Sequence, residues 1–284
     1  MKLYGILITK DDDLIVEEWF KENHHLFHKL AVVDGSRAPL TEEIVRRYPN
    51  CIYLRDPDTH ITDQTLRKHG WDAIAGEIEL GDWVAICHVD EFYLHDPRAM
   101  MVDGAFNVVL WLPLVMLPHP SEAESWIRSR NKSPRQHFRH YWWRTTMTPH
   151  CEHRMFRYVK EPFWNTEIRK RGCGVIPHNY FQETVCTATP LYFHYKIVSL
   201  GASAYGGDGQ LKKSSLETGL PGPVDTFADL FFWEDHPFED GYYRYDNDHS
   251  KILERFGNPP RISAAGDKVI LVNDRGQDLM TIER

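Results

Sequence analysis

Gly81–Pro97 reads GDWVAICHVDEFYLHDP, and this stretch suggests how the rest of the chain is organised. Trp83 to Cys87 is a short continuous apolar run, which is typical of a parallel strand buried on both faces. The run leads directly into an acidic turn, His88-Val89-Asp90-Glu91. Because ligands collect at the carboxyl ends of such strands, this turn is a candidate site for Mg²⁺ or Mn²⁺ bound to a phosphate. The alternative is a turn whose charges are only solvated.

Strand-like and helix-like segments alternate before and through this stretch. Such alternation predicts βαβ units, a parallel sheet and right-handed crossovers. The predicted strands are Lys2–Thr9, Lys29–Val33, Cys51–Leu54 and Trp83–Cys87, and the predicted helices run from Leu14 to Leu26, Thr41 to Tyr48 and Thr62 to Ile78. Residues 1–105 are therefore predicted to form a nucleotide-binding α/β half.

The rest of the chain is less regular. A strand-like run at Asn107–Leu117 is interrupted by Pro113, and further strands are predicted at Arg154–Tyr158 and Pro190–Val198. We assign residues 106–200 to a second half with a basic aromatic insertion at 126–160. Residues 201–284 are predicted to be a mobile loop and a C-terminal extension that ends in a β-hairpin, since the segment begins with a tract rich in Gly, Ser and Lys.

Composition limits the classes of protein that fit. The 284 residues are 42% hydrophobic and carry a formal net charge of -8, which allows a sizeable core and argues against a protein that coats nucleic acid or membranes. The longest apolar run, Val108–Leu117, is far shorter than the ~20 residues of a membrane-spanning helix. Five cysteines without a CxxC pair favour reduced thiols and a cytoplasmic location.

The chain resembles the family 2-like glycosyltransferases of the GT-A fold, in the branch whose signature is a strand ending in Asp-x-Asp-Glu-Phe. The matching stretch is Asp82-Trp83-Val84 leading into His88-Val89-Asp90-Glu91-Phe92. Further matches are Glu18-Trp19, Asn23-His24-His25, Val32-Val33-Asp34-Gly35-Ser36, the Gln64, Arg67 and Ala73 pattern, and Phe193-His194-Tyr195-Lys196. The resemblance implies a Rossmann-like, mostly parallel central sheet flanked by helices.

The resemblance also implies a metal site, although His88 stands where the family has its first Asp. Asp90 is then the direct ligand, His88 or Glu91 replaces or supplements the missing carboxylate, and His194 completes the site from a late strand. Imidazole suits Mn²⁺ better than Mg²⁺. The substitution is also compatible with weaker dependence on metal, and His194 with a simple core residue.

In this reaction class a sugar moves from a nucleotide diphosphate, with a UDP-sugar favoured, to an acceptor hydroxyl on a saccharide. The resemblance therefore makes residues 106–200 the acceptor half. Metal ions and cationic side chains neutralise the departing diphosphate. The predicted donor-binding residues are Thr9, Asp34, Asp56, Arg67 and Val89. The family inverts configuration, so a carboxylate should deprotonate the acceptor. The candidates for this base are Glu122, Glu124, Glu152 and Glu167, and the sequence does not choose among them.

The basic aromatic segment 126–160 holds nine Lys and Arg residues and a single acid, Glu152. Its cations and rings could bind a sugar or an anionic acceptor, through Arg128, Arg135, Trp142 and Trp143. One alternative is therefore the same chemistry on a hydroxylated base in DNA or another nucleic acid. Another is a packed insertion with solvated charges. A third is a GT-A-like binding module with weak or lost catalysis. The sequence makes no prediction of oligomeric state.

Overall fold

The computed structural model describes most of the first 117 residues and shorter segments beyond them. The described residues are 1–10, 12–36, 40–56, 63–117, 133–137, 141–145, 152–166, 176–186, 190–195, 243–245, 261–265, 268–272 and 278–283. Their helices are α1 (Asp13–Asn23), α2 (Leu40–Val45), α3 (Asp63–Ile74) and α4 (Pro134–His137), with 3-10 turns at His24–Leu26, Ala75–Glu77, Pro97–Met100 and His178–Gln182. Their strands are β1 (Leu3–Thr9), β2 (Lys29–Asp34), β3 (Cys51–Arg55), β4 (Trp83–His88), β5 (Glu91–Tyr93), β6 (Val108–Leu117), β7 (Tyr141–Thr145), β8 (Glu152–Arg157), β9 (Val185–Cys186), β10 (Leu191–Tyr195), β11 (Tyr243–Tyr245), β12 (Arg261–Ala265), β13 (Lys268–Val272) and β14 (Asp278–Glu283).

Eleven of the described strands form one mixed sheet. Its main path runs β11-β7-β6-β8-β4-β1-β2-β3, β10 pairs with β5 and β6, and β9 pairs with β6. The prediction of an α/β protein is confirmed. Parallel pairing joins β3, β2, β1 and β4, whereas β8 is antiparallel to both β4 and β6. The expected parallel order is therefore found for β1 to β4, but the sheet as a whole is mixed, so a mostly parallel Rossmann-like sheet is not confirmed. Antiparallel neighbours need no crossover helix, and the only described helix after residue 105 is α4.

The residues of β1 and β4 alternate between two apolar clusters, one on each face of the sheet. One cluster contains Leu3, Leu7, Trp83 and Cys87 together with Ile15, Trp19 and Phe20 of α1. The other contains Tyr4, Ile6, Val84 and Ile86 together with Trp71 and Ile74 of α3. Helices therefore cover both faces, which explains why these strands read as continuous apolar runs rather than as alternating ones.

Gly70 allows helix α3 to pack directly against β1 and β2. A Cβ atom at this position would lie 2.5 Å from Ile6 Cγ2 and 3.2 Å from Val33 Cγ2. A glycine in a helix interior destabilises that helix by roughly 1 kcal/mol relative to alanine. Here it allows the helix to approach the sheet and directs the helix face that carries Gln64 and Arg67 inward, where both side chains are buried.

Strand β6 continues through Pro113, so the predicted interruption was wrong. Leu112 N donates to Pro190 O, on the side of β10. Since successive residues of a strand point their N–H groups to opposite edges, Pro113 N faces the other edge. On that edge β8 pairs with Val108–Trp111 and β7 with Leu114–Leu117. Pro113 therefore lies where the neighbouring strand changes from β8 to β7, so the N–H group that it lacks would have little to bond to.

The parallel strands end in register. Thr9 of β1 is level with Asp34 of β2, Asp34 with Arg55 of β3, and Ile8 with His88 of β4. Their carboxyl ends therefore form one edge of the sheet, called here the carboxyl edge. Four polar residues, Thr9, Asp34, Arg55 and His88, therefore lie side by side along this edge.

The C-terminal strands β12, β13 and β14 form a separate antiparallel sheet. The predicted hairpin strands, Val269–Val272 and Asp278–Ile282, correspond to β13 and β14. The predicted mobile loop lies outside the described residues, and the division into 1–105, 106–200 and 201–284 stays a prediction.

Candidate metal centre

Three side chains at the end of β4 and just beyond it converge at the carboxyl edge. One potential ligand atom from each of His88, Asp90 and Glu91 lies within 4.8 Å of the others, so the group could hold a metal ion. Asp90 and Glu91 are buried, at 6% and 7% exposure. A buried carboxylate is costly unless it is paired with a cation, a metal or hydrogen-bond donors. The chain after β4 therefore has to supply such partners.

Strand β10 supplies one of these partners. It pairs antiparallel with β5, with His194 opposite Glu91, and Tyr195 N donates to Asp90 O at 2.8 Å. This pairing brings His194 Nε2 to 3.2 Å from Asp90 Oδ2 and Nδ1 to 4.0 Å from Glu91 Oε1. An imidazole that bonds to a ligating carboxylate fixes its orientation. His194 is therefore placed to orient Asp90.

Arg154 of β8 supplies the second partner, and it was not among the predicted site residues. Its Nη2 donates to the carboxylates of Glu91 and Glu152, and its guanidinium lies 5.7 Å from the ring centroid of Tyr192. Burial favours the neutral form, but the neighbouring carboxylates outweigh it and raise the pKa of Arg154 well above its ordinary value. Arg154 therefore keeps its positive charge at every pH at which the protein is folded. The sequence contained one signal for this role of Arg154, since it is a basic residue in the strand-like alternation at Arg154–Tyr158.

His88 lies between two guanidinium groups. Arg154 Nη1 is 3.4 Å from both ring nitrogens of His88, and Arg67 Nη2 is 3.4 Å from Nε2. Both arginines are buried, whereas the His88 side chain is 29% exposed. His88 Nδ1 is also 3.4 Å from Glu91 Oε1. The imidazole is thus the outermost member of a cluster whose charged members lie beneath it.

The turn after β2 is built around Asp34, which is fully buried. Its Oδ1 accepts from Ser36 N at 2.8 Å, and its Oδ2 accepts from Tyr53 Oη at 2.8 Å and lies 3.6 Å from Arg55 Nη1. Gly35 N donates to Thr9 O, which joins the turn to the end of β1. Asp34 therefore shapes the carboxyl edge through internal bonds, and its contact with a nucleotide stays a prediction.

The other predicted donor-binding residues surround this edge. Thr9 is buried, and its Oγ1 lies 3.4 Å from Asp12 Oδ2. Asp56 Oδ2 is 2.6 Å from His69 Nδ1. Val89 is 1% exposed and packs in the core. Only the backbone of Val89 could therefore meet a ligand without rearrangement.

One of the four candidate bases falls within the described residues. Glu152 begins β8, and its Oε2 accepts from Tyr192 Oη at 3.1 Å and from Arg154. Burial, reinforced by Glu91, raises the pKa of Tyr192 well above its ordinary value, so its hydroxyl stays a donor. Glu122, Glu124 and Glu167 lie outside the described residues.

Arg135, in the described part of the basic aromatic segment, packs against other elements of the fold. Arg135 pairs with Glu22, lies 3.8 Å from Glu18 Oε2, and stacks 4.2 Å from the ring centroid of Phe92. Arg135 therefore joins α4 to α1 and β5. Trp142 and Trp143 belong to β7 and pair with Arg244 and Tyr243 of β11. Arg128 lies outside the described residues.

Comparison with known proteins adds no assignment. No protein-family model matches the chain, and no curated protein matches it significantly. Within the described ranges, no helix is long and apolar enough to cross a membrane. The geometry of the carboxyl edge is therefore the structural basis for a function.

Proposed function

We propose that the protein is an inverting glycosyltransferase that moves a sugar from a nucleotide diphosphate, favouring a UDP-sugar, to a hydroxyl group of a saccharide. The observation that carries this proposal is the convergence of the acidic His88-Val89-Asp90-Glu91 turn with the ends of β1, β2 and β3 at one edge of the sheet. In open α/β sheets, this edge is where nucleotides bind.

The parallel order β3-β2-β1-β4, with helices on both faces, supports a GT-A-like fold for the first half of the chain. The motif that carries the family resemblance lies at the end of β4, next to the central strand β1. The nucleoside would then lie over the ends of β1 and β2 near Asp34, and the diphosphate over the end of β4 near His88.

The residues fit a divalent ion in donor type and spacing. Asp90 and His88 would hold it, with His194 orienting Asp90, and the mixture of oxygen and nitrogen ligands favours Mn²⁺ over Mg²⁺. Such an ion would help to neutralise the charge of the leaving diphosphate. Glu91 is already engaged by Arg154, so its share in binding the ion would be smaller.

The remaining steps belong to the chain's own residues. Arg67, buried beside His88, would neutralise a diphosphate oxygen as the bond to the sugar breaks. A carboxylate on the acceptor side would take the hydroxyl proton. Glu152 is close to the cluster but is engaged by Arg154 and Tyr192. Glu122, Glu124 and Glu167 therefore stay candidates beside it.

Two measurements test this function. Thermal unfolding with UDP, GDP and dTDP, each with and without Mn²⁺, should show stabilisation by one nucleotide and a larger effect with Mn²⁺. The matching UDP-, GDP- or dTDP-sugar should then release its nucleotide slowly in the presence of water. Asp90→Asn should remove the increment due to Mn²⁺. The matched control, Asp72→Asn, changes an exposed carboxylate paired with Lys68 and should preserve it.

The outcomes separate the alternatives. If no nucleotide stabilises a folded sample, the transferase proposal is wrong. Stabilisation without any turnover of the sugar donor would favour the binding module. The described side-chain contacts do not favour a nucleic-acid acceptor, because three arginines of the basic segment, Arg135, Arg154 and Arg157, each pair with a carboxylate of this chain.

A further inference from the structure

Four rings form a patch on the surface beside β8, called here the aromatic patch. It consists of Phe163 and Phe181 together with His153 and His178. The ring of His178 lies between the two phenyl rings, with its centroid 6.3 Å from that of Phe163 and 6.2 Å from that of Phe181. The ring of His153 is 4.9 Å from that of Phe181. The patch is open to solvent, since Phe163 is 56% exposed and Phe181 is 37% exposed.

The phenyl rings are exposed although neighbouring rings on the same two segments are buried. Trp164 and Tyr180, next to Phe163 and Phe181 in the chain, are 5% and 0% exposed, and both contact the buried ring of Phe156. Each segment therefore buries one aromatic ring and exposes the next. Single exposed apolar side chains are common, whereas a group of them indicates a binding surface.

Three hydrogen bonds fix the two segments to each other. His178 N donates to Phe163 O at 2.8 Å, and Phe163 N donates to Asn179 Oδ1 at 2.9 Å. Asn179 Nδ2 in turn donates to Glu161 O at 2.8 Å. The rings are therefore presented on a fixed backbone, which reduces the conformational entropy that binding of a ligand would cost.

Strand β8 connects the aromatic patch to the carboxyl edge. It has a β-bulge at Arg154, whose two neighbours in the chain pair with consecutive residues of β6. Such a bulge redirects a side chain, and bulges occur often beside active sites. Arg154 donates to Glu91 and Glu152 in the cluster at the carboxyl edge, whereas His153 contacts Phe181. The patch and the cluster are therefore neighbours on one strand.

Helix α3 makes a second connection. Gln64 Nε2 donates at 3.1 Å to the carbonyl oxygen of Ile176, two residues before His178. Gln64 lies about one helical turn before Arg67, which is beside His88. The patch therefore borders the carboxyl edge, where the proposed reaction would take place.

The patch combines apolar ring faces with polar nitrogen atoms. Its three neighbouring pairs of rings meet at angles of 64° to 79°, so none of these pairs is stacked face to face. The face of an aromatic ring is negative and attracts polarised C–H groups. The imidazole nitrogens of His178 can form hydrogen bonds with hydroxyl groups. A pyranose ring has both features, because C–H groups line its face and hydroxyl groups surround it.

Area and charge favour a neutral saccharide over a protein or an anionic ligand. At their observed exposures, the two phenylalanines together offer roughly 200 Å², far below the ~800 Å² that each side of a standard protein interface buries. Among the charged residues that flank the patch, Lys160 pairs with Glu183, and Glu161 adds a negative charge. These surroundings would repel a phosphate or a sulfate.

We propose that the aromatic patch is a saccharide-binding platform, on which a neutral sugar of the acceptor stacks against Phe163 and Phe181 and forms hydrogen bonds with His178. The role of this sugar as part of an acceptor rests on the proposed function. The patch would hold one part of the saccharide while another part approaches the donor at the carboxyl edge.

Binding of the full-length protein to a glycan array, without nucleotide or metal, tests the platform. We expect binding to neutral saccharides of at least one type, and titration calorimetry with the saccharide that binds best would then give the affinity. If the folded protein binds no neutral saccharide, or binds only sulfated or sialylated ones, the platform is wrong.

Phe163→Ala and Phe181→Ala should each weaken binding of that saccharide by about tenfold, because the sugar then covers one ring fewer. Both side chains are exposed, so both variants should fold. The matched control is Leu80→Ala, which removes a hydrophobic side chain that is 74% exposed just before β4, and its affinity should not change. Equal affinities in all three variants would contradict the platform.

His178→Phe tests the polar part of the platform, because it keeps an aromatic ring and removes both nitrogens. Its affinity for the saccharide should fall. Unchanged or tighter binding would contradict the hydrogen bonds assigned to His178.

Analytical ultracentrifugation tests whether a second copy of the chain covers the patch instead. The wild type and Phe163→Ala should have the same oligomeric state. A dimer of the wild type that Phe163→Ala dissociates would overturn the platform.

The platform and the transferase can fail separately. Saccharide binding that Phe163→Ala removes, without stabilisation of the protein by any nucleotide, would support the platform and refute the glycosyltransferase. Stabilisation by a nucleotide with Mn²⁺, without binding to any saccharide on the array, would refute the platform and support the donor site. Phe163→Ala should leave stabilisation by the nucleotide unchanged.

Discussion

Arg154 and Arg157 lie three residues apart on β8, yet they serve opposite ends of β4. Arg157 is beside the start of β4, at the level of Trp83, and pairs with Asp103, whose side chain is 67% exposed. Arg154 faces the end of β4 and pairs with Glu91, where both side chains are less than 10% exposed. The same residue type therefore pairs with a solvated carboxylate at one edge of the sheet and belongs to a buried cluster at the other.

This contrast has an energetic basis. An exposed ion pair contributes about 0–1 kcal/mol, because water screens the charges and holding long side chains costs entropy. A buried pair gains little over a well-packed apolar pair, but removing one partner leaves a charge without compensation. Apolar residues could fill the space around Arg154 at least as stably. The buried charges are therefore better explained by a function than by stability.

The largest expected effect comes from Arg154→Met. It leaves Glu91 buried without its cation, so the free energy of unfolding should fall by about 3–5 kcal/mol. Urea denaturation would measure this loss. Restoration of most of the stability by adding Glu91→Gln would assign the loss to the unpaired carboxylate. A loss below about 1 kcal/mol would show that the two arginines of β8 are equivalent.

A second prediction concerns a buried imidazole that serves the fold rather than the carboxyl-edge cluster. Burial lowers the pKa of His95 from 6.5 to about 4, and Leu191 N donates to its Nδ1 at 3.1 Å. Below pH 6.5 the unfolded chain takes up a proton that the folded chain takes up only near pH 4. Stability should therefore fall across this window, by up to about 3 kcal/mol.

Urea denaturation of the wild type and His95→Gln between pH 7 and pH 4 would measure this contribution. Glutamine offers an acceptor to Leu191 N but does not titrate in this range, so the variant should lose less stability on acidification. Parallel pH profiles for the two proteins would contradict the role of His95.

A smaller effect is expected from Tyr192→Phe, which removes the hydroxyl that donates to Glu152 at 3.1 Å and leaves the ring beside Arg154. A hydrogen bond to a charged group contributes about 1.5–3 kcal/mol. Because the side chain of Glu152 is 34% exposed, we expect a loss near the lower end of that range in urea denaturation. An unchanged stability would indicate that water replaces the hydroxyl.

The smallest effect is expected from Arg157→Met, the counterpart of Arg154→Met at the other end of β8. The carboxylate of Asp103 stays in water after the substitution, so the loss in urea denaturation should be below about 1 kcal/mol. A loss comparable to that of Arg154→Met would remove the distinction between the two ends of β8.

The first half of the fold could be predicted because its information is local. The apolar runs at β1, β2 and β4 and the amphipathic pattern of α1 each identify their own element, and parallel order follows from the alternation. The acidic turn at the end of β4 was predicted for the same reason, because its residues are adjacent in the sequence. Three of its four residues form the cluster that could hold a metal ion. Pro113 misled the prediction because its effect depends on which edge its nitrogen faces.

The sequence by itself determined the α/β class, the position of the strand ends and the chemical character of the turn, because helix and strand periods and turn residues are short-range properties. Only the tertiary structure placed His194 beside Asp90, positioned Arg67 and Arg154 on either side of His88, and joined Arg135 to α1. These contacts link residues that are 21 to 113 positions apart. They depend on sheet order, strand register and one β-bulge, which no local pattern specifies because they are decided by packing across the whole sheet.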